Sequence, residues 1–300
     1  MQYFASIMVV ASALLFKWMS LNIKQLQEKG MSAWGALYCH RFAIAPAFLL
    51  TAITFRREYL ELIFSNYLLV LTLLFVLVFW ILRNYISYFT LKSVNSLSFL
   101  KAFESIIALP IFVVTGILIN KDVPNLFIAL ALVFLAIALL IKPSPHKLGV
   151  KRTFRHHLAL IILITFIVVV LDAIDNGLYR FFLQNMNSVL FAIGLCAFLS
   201  MLSVWVVSCF RKLPPKEIAV IKQNQSLAYS IAPLWFLGSI PEGYAFFNVS
   251  IYTFIAIASF NFIIDVFSDL RNKRIHLDKR TLIFIALVLL SIGFSVWSLD

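Results

Sequence analysis

Arg41, Arg83 and Lys101, and opposite them Glu104, Asp172, Asp175, Glu242 and Asp265, stand within otherwise apolar stretches of the sequence. A charge in hydrocarbon is costly, so each is a candidate for work inside a membrane. Lys101 and Glu104 are three residues apart and can reach one another on a helix. They form either a self-neutralising structural pair or part of a polar cavity ahead of Pro110. Asp172 and Asp175 repeat that spacing, with Asn176 alongside and Tyr179 four residues beyond Asp175. Two carboxylates on one helical face repel. A carboxylate that gains and loses a proton within a membrane is what a proton-coupled carrier requires. The competing use is plain neutralisation by Arg41, Arg83 or Lys101.

Arg83 continues into a polar face, since Ser87 follows it by four and Tyr88 follows Asn84 by four. Arg41 either snorkels to headgroups or faces the interior. His40 beside it is a group that titrates near neutrality or an interfacial polar residue. Trp80 and Trp235 are candidate cavity walls, and Glu242 follows Pro241. Asp265 falls near a span end and reads as interfacial. The candidate substrate-binding residues are therefore Arg41, Arg83, Ser87 and Tyr88, then Lys101 and Glu104, Asp172, Asp175 and Tyr179, and finally Trp235 and Glu242. No Walker phosphate loop, HExxH, CxxC or GxSxG occurs. Enzymatic activity and a bound cofactor are not expected, and His156–His157 lacks spaced partners for a metal. Cys39, Cys196 and Cys209 read as buried thiols.

The elements holding these residues follow from composition. Of 300 residues, 62% are hydrophobic and 13% charged, whereas a soluble domain carries roughly 25% charge. A surface this poor in charge meets lipid. A spanning helix needs about 20 apolar residues, and the continuous apolar runs exclude the alternating pattern of a barrel. The expected spans are 3–21, 34–55, 67–91, 94–119, 124–141, 158–182, 188–210, 219–240, 245–269 and 281–298. Pro233 and Pro241 mark the eighth as broken or as running past Pro241. The basic connector 143–156 divides the spans into halves, 1–142 and 157–300, of five helices each. An odd count per half makes a duplicated unit enter the membrane in opposite senses, an inverted repeat.

The net charge of +12 gathers in the odd-numbered connectors, leaving Arg56, Arg57, Lys121 and Arg180 on the other side. The positive-inside rule then places the odd connectors in the cytoplasm and both termini outside. Charge so distributed orients a chain against anionic lipid, and nucleic acid is not an expected partner.

The five-plus-five pattern resembles the drug/metabolite transporter superfamily, in particular its ten-helix EamA-type members. Tyr38–Cys39–His40–Arg41–Phe42–Ala43 is similar to that family's Arg-Phe at the start of its second helix. Tyr88–Phe89–Thr90–Leu91–Lys92–Ser93–Val94–Asn95–Ser96, then Lys101, Glu104 and Pro110, resembles its passage between helices three and four and the fourth-helix proline. The matching ninth-helix proline is absent from residues 254–265, and relatives are held to have cytoplasmic termini. The resemblance implies alternating access in the inner membrane around a cavity between two inverted halves. Arg41, Arg83, Lys101 and Glu104 would line or brace its first-half side. The function expected is secondary transport of a small zwitterionic or anionic metabolite, with proton coupling as an option, by a monomer or homodimer. The alternatives are an enzyme or flippase acting on lipid-linked material, and a channel or structural subunit.

Overall fold

The structure, a computed structural model, describes residues 2–93, 109–111, 113–114, 117, 124–141, 158–186, 188–273 and 275–297. Its regular elements are all helices. In chain order they are α1 (Gln2–Glu28), α2 (Ala33–Cys39), a 3-10 turn (His40–Ala43), α3 (Ile44–Thr54), α4 (Arg57–Ser65), α5 (Tyr67–Ser93), α6 (Leu126–Ile141) and α7 (Leu158–Asn185). There follow α8 (Val189–Phe210), α9 (Pro215–Gln223), α10 (Gln225–Asn248), α11 (Ile251–Ala258), α12 (Phe260–Arg271) and α13 (Lys279–Trp297). Lys101, Glu104 and the connector 143–156 lie outside the described residues, as does most of the expected fourth span.

Seven helices among the described residues are long and apolar enough to cross a membrane: Tyr3–Glu28, Ala33–Thr54, Tyr67–Ser93, Ile162–Asn185, Val189–Phe210, Tyr252–Arg271 and Lys279–Trp297. The faces they expose are oily. On α5, Leu71, Leu74, Val78 and Leu82 form an outward stripe, each at least 43% exposed. Leu69, Thr72, Val76, Trp80, Asn84, Tyr88 and Leu91 are buried on its other face. Both stripes have helical period, and water would not tolerate the first at this length. The protein is an all-α polytopic membrane protein.

Local chemistry sets the ends. Gly30 takes φ of 106° after α1. Met31 N–H donates to Leu26 and Gly30 N–H to Gln27, closing a glycine-dependent C-cap. Ser32, Ser188 and Ser250 cap α2, α8 and α11 through their hydroxyls. The expected eighth span is displaced. Residues 219–223 belong to the short α9, and the spanning-length helix α10 runs unbroken through Pro233 and Pro241 to Asn248. Proline costs a helix one backbone bond, and a membrane helix tolerates that where neighbours satisfy the freed carbonyl. Residues 57–65, expected as loop, form α4, which carries an exposed Arg57–Glu61 pair at 3.1 Å.

The chain divides into two compact units. One comprises Leu14–Lys92 and Ile174–Phe247, and the other Met1–Ala13, Ser93–Ala173 and Asn248–Asp300. In the first, the span α2–α3 lies antiparallel to α8. Trp34 Nε1 donates to the Arg211 carbonyl at one end (3.2 Å), and the rings of Phe55 and Phe191 meet at the other (6.2 Å). A Cβ at Gly194 would come within 3.0 Å of the Thr51 backbone, so glycine permits this approach. In the second unit α6 and α13 are likewise antiparallel, with Phe127 stacked on Trp297 and Phe134 on Phe294. Leu135, Ala138 and Leu139 form its core with Phe284 and Val288, joined by Phe262, Ile263 and Val266 of α12.

Candidate functional site

The cluster described first lies in the unit formed by Leu14–Lys92 and Ile174–Phe247. The inward stripe of α5 presents Trp80, Asn84 and Tyr88 at four-residue intervals. The 3-10 turn presents His40 to that stripe. His40 is completely buried, and its Nε2 shares a 2.6 Å hydrogen bond with the Tyr88 hydroxyl. Its ring stacks on Tyr88 (5.7 Å, 9°) and meets Trp80 and Trp235 edge-on (5.6 and 5.9 Å). The two tryptophans contact each other at 5.3 Å. The opposite ring nitrogen, Nδ1, is buried without a hydrogen-bond partner among the described residues. His40 is thus a core residue of this unit and not interfacial. The sequence leaves open whether His40 or its neighbour Arg41 faces inward. Only the tightening of the helix at residues 40–43, invisible in an apolar run, fixes which of the two faces inward.

Arg83, on the same helix as Trp80 and Tyr88, forms a 2.7 Å ion pair with Asp175 of α7. Their side chains are 24% and 9% exposed. A charge pair this enclosed is held by mutual neutralisation, and losing one partner strands the other. Of the two expected uses of Asp175, the structure realises pairing with Arg83. Ser87 is half-buried one turn beyond Arg83. Tyr179, with its phenol hydroxyl, is half-buried one turn beyond Asp175. That hydroxyl sits against Gly243. Glu242 lies within α10. Arg83, Ser87, Tyr88, Asp175, Tyr179, Trp235 and Glu242 are therefore carried by α5, α7 and α10 of one unit. Asp172 is half-buried and belongs to the other unit. The Arg41 guanidinium lies 3.8 Å from the centre of the Tyr38 ring.

Several polar residues outside the candidate set are buried in helices. Lys24 Nζ donates to the Leu91 carbonyl at 2.6 Å, and Gln27 Nε2 to Tyr88 at 2.8 Å. The end of α1 thereby satisfies carbonyls in the last turns of α5, where a cation is favoured. Lys17, within α1, is also buried. Arg180 is 5% exposed within α7 and donates to the Phe246 carbonyl near the end of α10. Asp265 is 1% and Asp269 0% exposed on α12, one helical turn apart, so both are packed inside their unit. Cys39 and Cys196 are buried as expected, whereas Cys209 is exposed near the end of α8. The described residues contain no group of three or more His, Cys, Asp or Glu able to hold a metal.

At the end of α1 the turn into α2 meets the connector after α8. Ser32 donates to the Glu217 carboxylate from both its hydroxyl (2.7 Å) and its backbone N–H (3.2 Å). The same hydroxyl accepts from Gly35 N–H (3.0 Å). A Cβ at Gly35 would collide with that carboxylate. Lys29 hydrogen-bonds Asn224 alongside. These two connectors, both on the basic side of the charge tally, therefore share one face of the unit.

No family model matches the chain, and no curated protein matches its sequence. Its fold does have counterparts among solved structures. A crystal structure described only as that of a protein aligns over 99% of this chain and 98% of its own, with a TM-score of 0.63 and 11% identity. At that identity the likeness concerns fold alone.

Proposed function

We propose that this chain is a secondary carrier of a small zwitterionic or anionic metabolite, working by alternating access in the inner membrane. The observation that carries the proposal is the Arg83–Asp175 pair, held between spanning helices beside the buried His40–Tyr88 hydrogen bond. An anionic group of the substrate would replace Asp175 on the guanidinium, and a proton on Asp175 would weaken the same pair. Only the two events together exchange one neutral arrangement for another, the substrate anion balancing Arg83 while the proton neutralises Asp175, and this limits the cost of exposing charge within the membrane.

The proposal includes ten helices arranged as two inverted five-helix repeats of the drug/metabolite transporter type. The antiparallel pairing of α2–α3 with α8, and of α6 with α13, supports it. In a five-plus-five count these are the second and fifth spans of the two halves, and an inverted repeat pairs such counterparts in this sense.

The experiment is uptake into proteoliposomes with a panel of amino acids and other organic ions, in the presence and absence of a pH gradient. Saturable flux of a zwitterion or anion, lost in Arg83→Gln and stripped of its pH dependence in Asp175→Asn, is expected. Asp172→Asn is run in parallel. Flux confined to apolar cations, or no saturable flux with any solute, would overturn the proposal. Persistence of pH dependence in both aspartate variants would remove proton coupling from it.

A further inference from the structure

Arg41 has a spanning helix around it and an apolar outer face beside it. It follows Ala33, the first residue of its span, by eight positions, about 12 Å along the axis at 1.5 Å per residue. The neighbouring outward residues are Phe42 (41% exposed), Phe48 (56%) and Leu49 (58%), with exposed Ala45 and Pro46 between them. Tyr229 of α10, 47% exposed, meets Phe42 edge-to-face at 5.2 Å. Among the described residues the Arg41 guanidinium makes no ion pair and no hydrogen bond. It lies over the faces of Tyr38 (3.8 Å) and Phe42 (5.0 Å). Stacking satisfies the face of a guanidinium but leaves its N–H edge unmet. Tyr38 is one turn nearer the Ser32 end, so the side chain leans toward that end, in the sense helical side chains take.

That end is basic and amphipathic. Helix α9 presents exposed Lys216 and Lys222 beside exposed Ile218, and Arg211 and Lys212 precede it, also exposed. Such a helix lies in the headgroup layer and gathers anionic lipid. Hence a hydrogen-bond donor to oxyanions, about 12 Å from the start of its span, leans toward the basic end, stacked on aromatic rings and flanked by surface that accepts acyl chains.

We propose that Arg41 holds the phosphate of an anionic glycerophospholipid from the basic-side leaflet, with its chains lying over Phe42 and Tyr229. An anionic lipid is favoured over a soluble anion because the surroundings of the guanidinium are apolar and outward-facing. This site is separate from Arg83 and Asp175 and does not depend on the chain being a carrier.

The test is lipid retention. Wild-type protein is reconstituted in nanodiscs of mixed phosphatidylglycerol and phosphatidylcholine, extracted in mild detergent and examined by native mass spectrometry. Preferential retention of phosphatidylglycerol is expected, falling about tenfold in Arg41→Gln, the loss of one charge-assisted phosphate contact. Arg41→Lys keeps an intermediate amount, and Arg57→Gln, beyond the other end of the span, keeps the wild-type amount. Thermal melting of each variant confirms a folded sample. Equal retention of both lipids by the wild type, or undiminished phosphatidylglycerol in folded Arg41→Gln, overturns the proposal. So does displacement of the lipid by millimolar inorganic phosphate, which would mark a soluble-anion site.

Discussion

At the scale of single residues, the Arg83–Asp175 pair makes the sharpest demand. Arg83→Gln and Asp175→Asn should each lower stability in detergent by about 2 kcal/mol, less than a fully buried pair because Arg83 is partly exposed. The double variant should recover part of that loss, since no uncompensated charge remains, and a double-mutant cycle on thermal melting reads this out. Additive losses would mean the two residues act separately. Arg83 was legible in the sequence because an arginine in the middle of an oily run has few excuses. Its partner was legible only as a member of a set, since sequence cannot rank Asp172 against Asp175 without the rotation of α7. His40 was the reverse case. Its type marks it as titratable, yet its burial depends on a 3-10 turn that no residue pattern announces.

At the scale of elements, packing and caps decide. Gly243→Ala would ordinarily favour a helix, but here the new Cβ would lie 2.5 Å from Ile193 Cγ1 and 2.9 Å from the Tyr179 hydroxyl. The overpacking outweighs the gain in helix propensity, and a net destabilisation of about 1–2 kcal/mol is expected in thermal melting. Glu217→Gln removes a charged acceptor from the Ser32 cap. Amides near Ser32 and Gly35 should then exchange several-fold faster by hydrogen-exchange mass spectrometry, with the ends of α5 unchanged. Asp278 caps α13, accepting from the backbone and hydroxyl of Thr281 (2.8 Å each). These hold its carboxyl below the ordinary carboxylate value, the backbone bond contributing most. A depressed folded value means the stabilisation is present at neutral pH and is lost as pH falls through that value. Wild-type melting temperature should therefore drop in acid more than that of Asp278→Ala, and equal slopes would exclude the cap. The existence of most spans could be read from length and apolarity. The true limits of α10 could not, because proline is a stop signal in water and a tolerated residue among membrane helices.

At the scale of the molecule, the basic connectors before and after α9, together with the α1–α2 turn, meet on one face of their unit. If the positive-inside rule governs, that face is cytoplasmic and both termini lie outside. A terminal tag should then be reached by antibody or protease in intact spheroplasts, and a tag protected until lysis would reverse the orientation. Composition disclosed the membrane, and the helix rhythm disclosed the order of spans. It did not disclose that each compact unit draws segments from both sides of the 143–156 connector, because such pairing is long-range and leaves no local trace. One unit needs Met1–Ala13 together with Asn248–Asp300, and the other cannot close before Phe247 exists. A ribosome making this chain therefore releases its early helices into the bilayer long before their partners are synthesised. Those helices must persist in lipid with only the contacts they make among themselves, such as Lys24 with Leu91 and His40 with Tyr88, and neither unit is complete until its later segments follow.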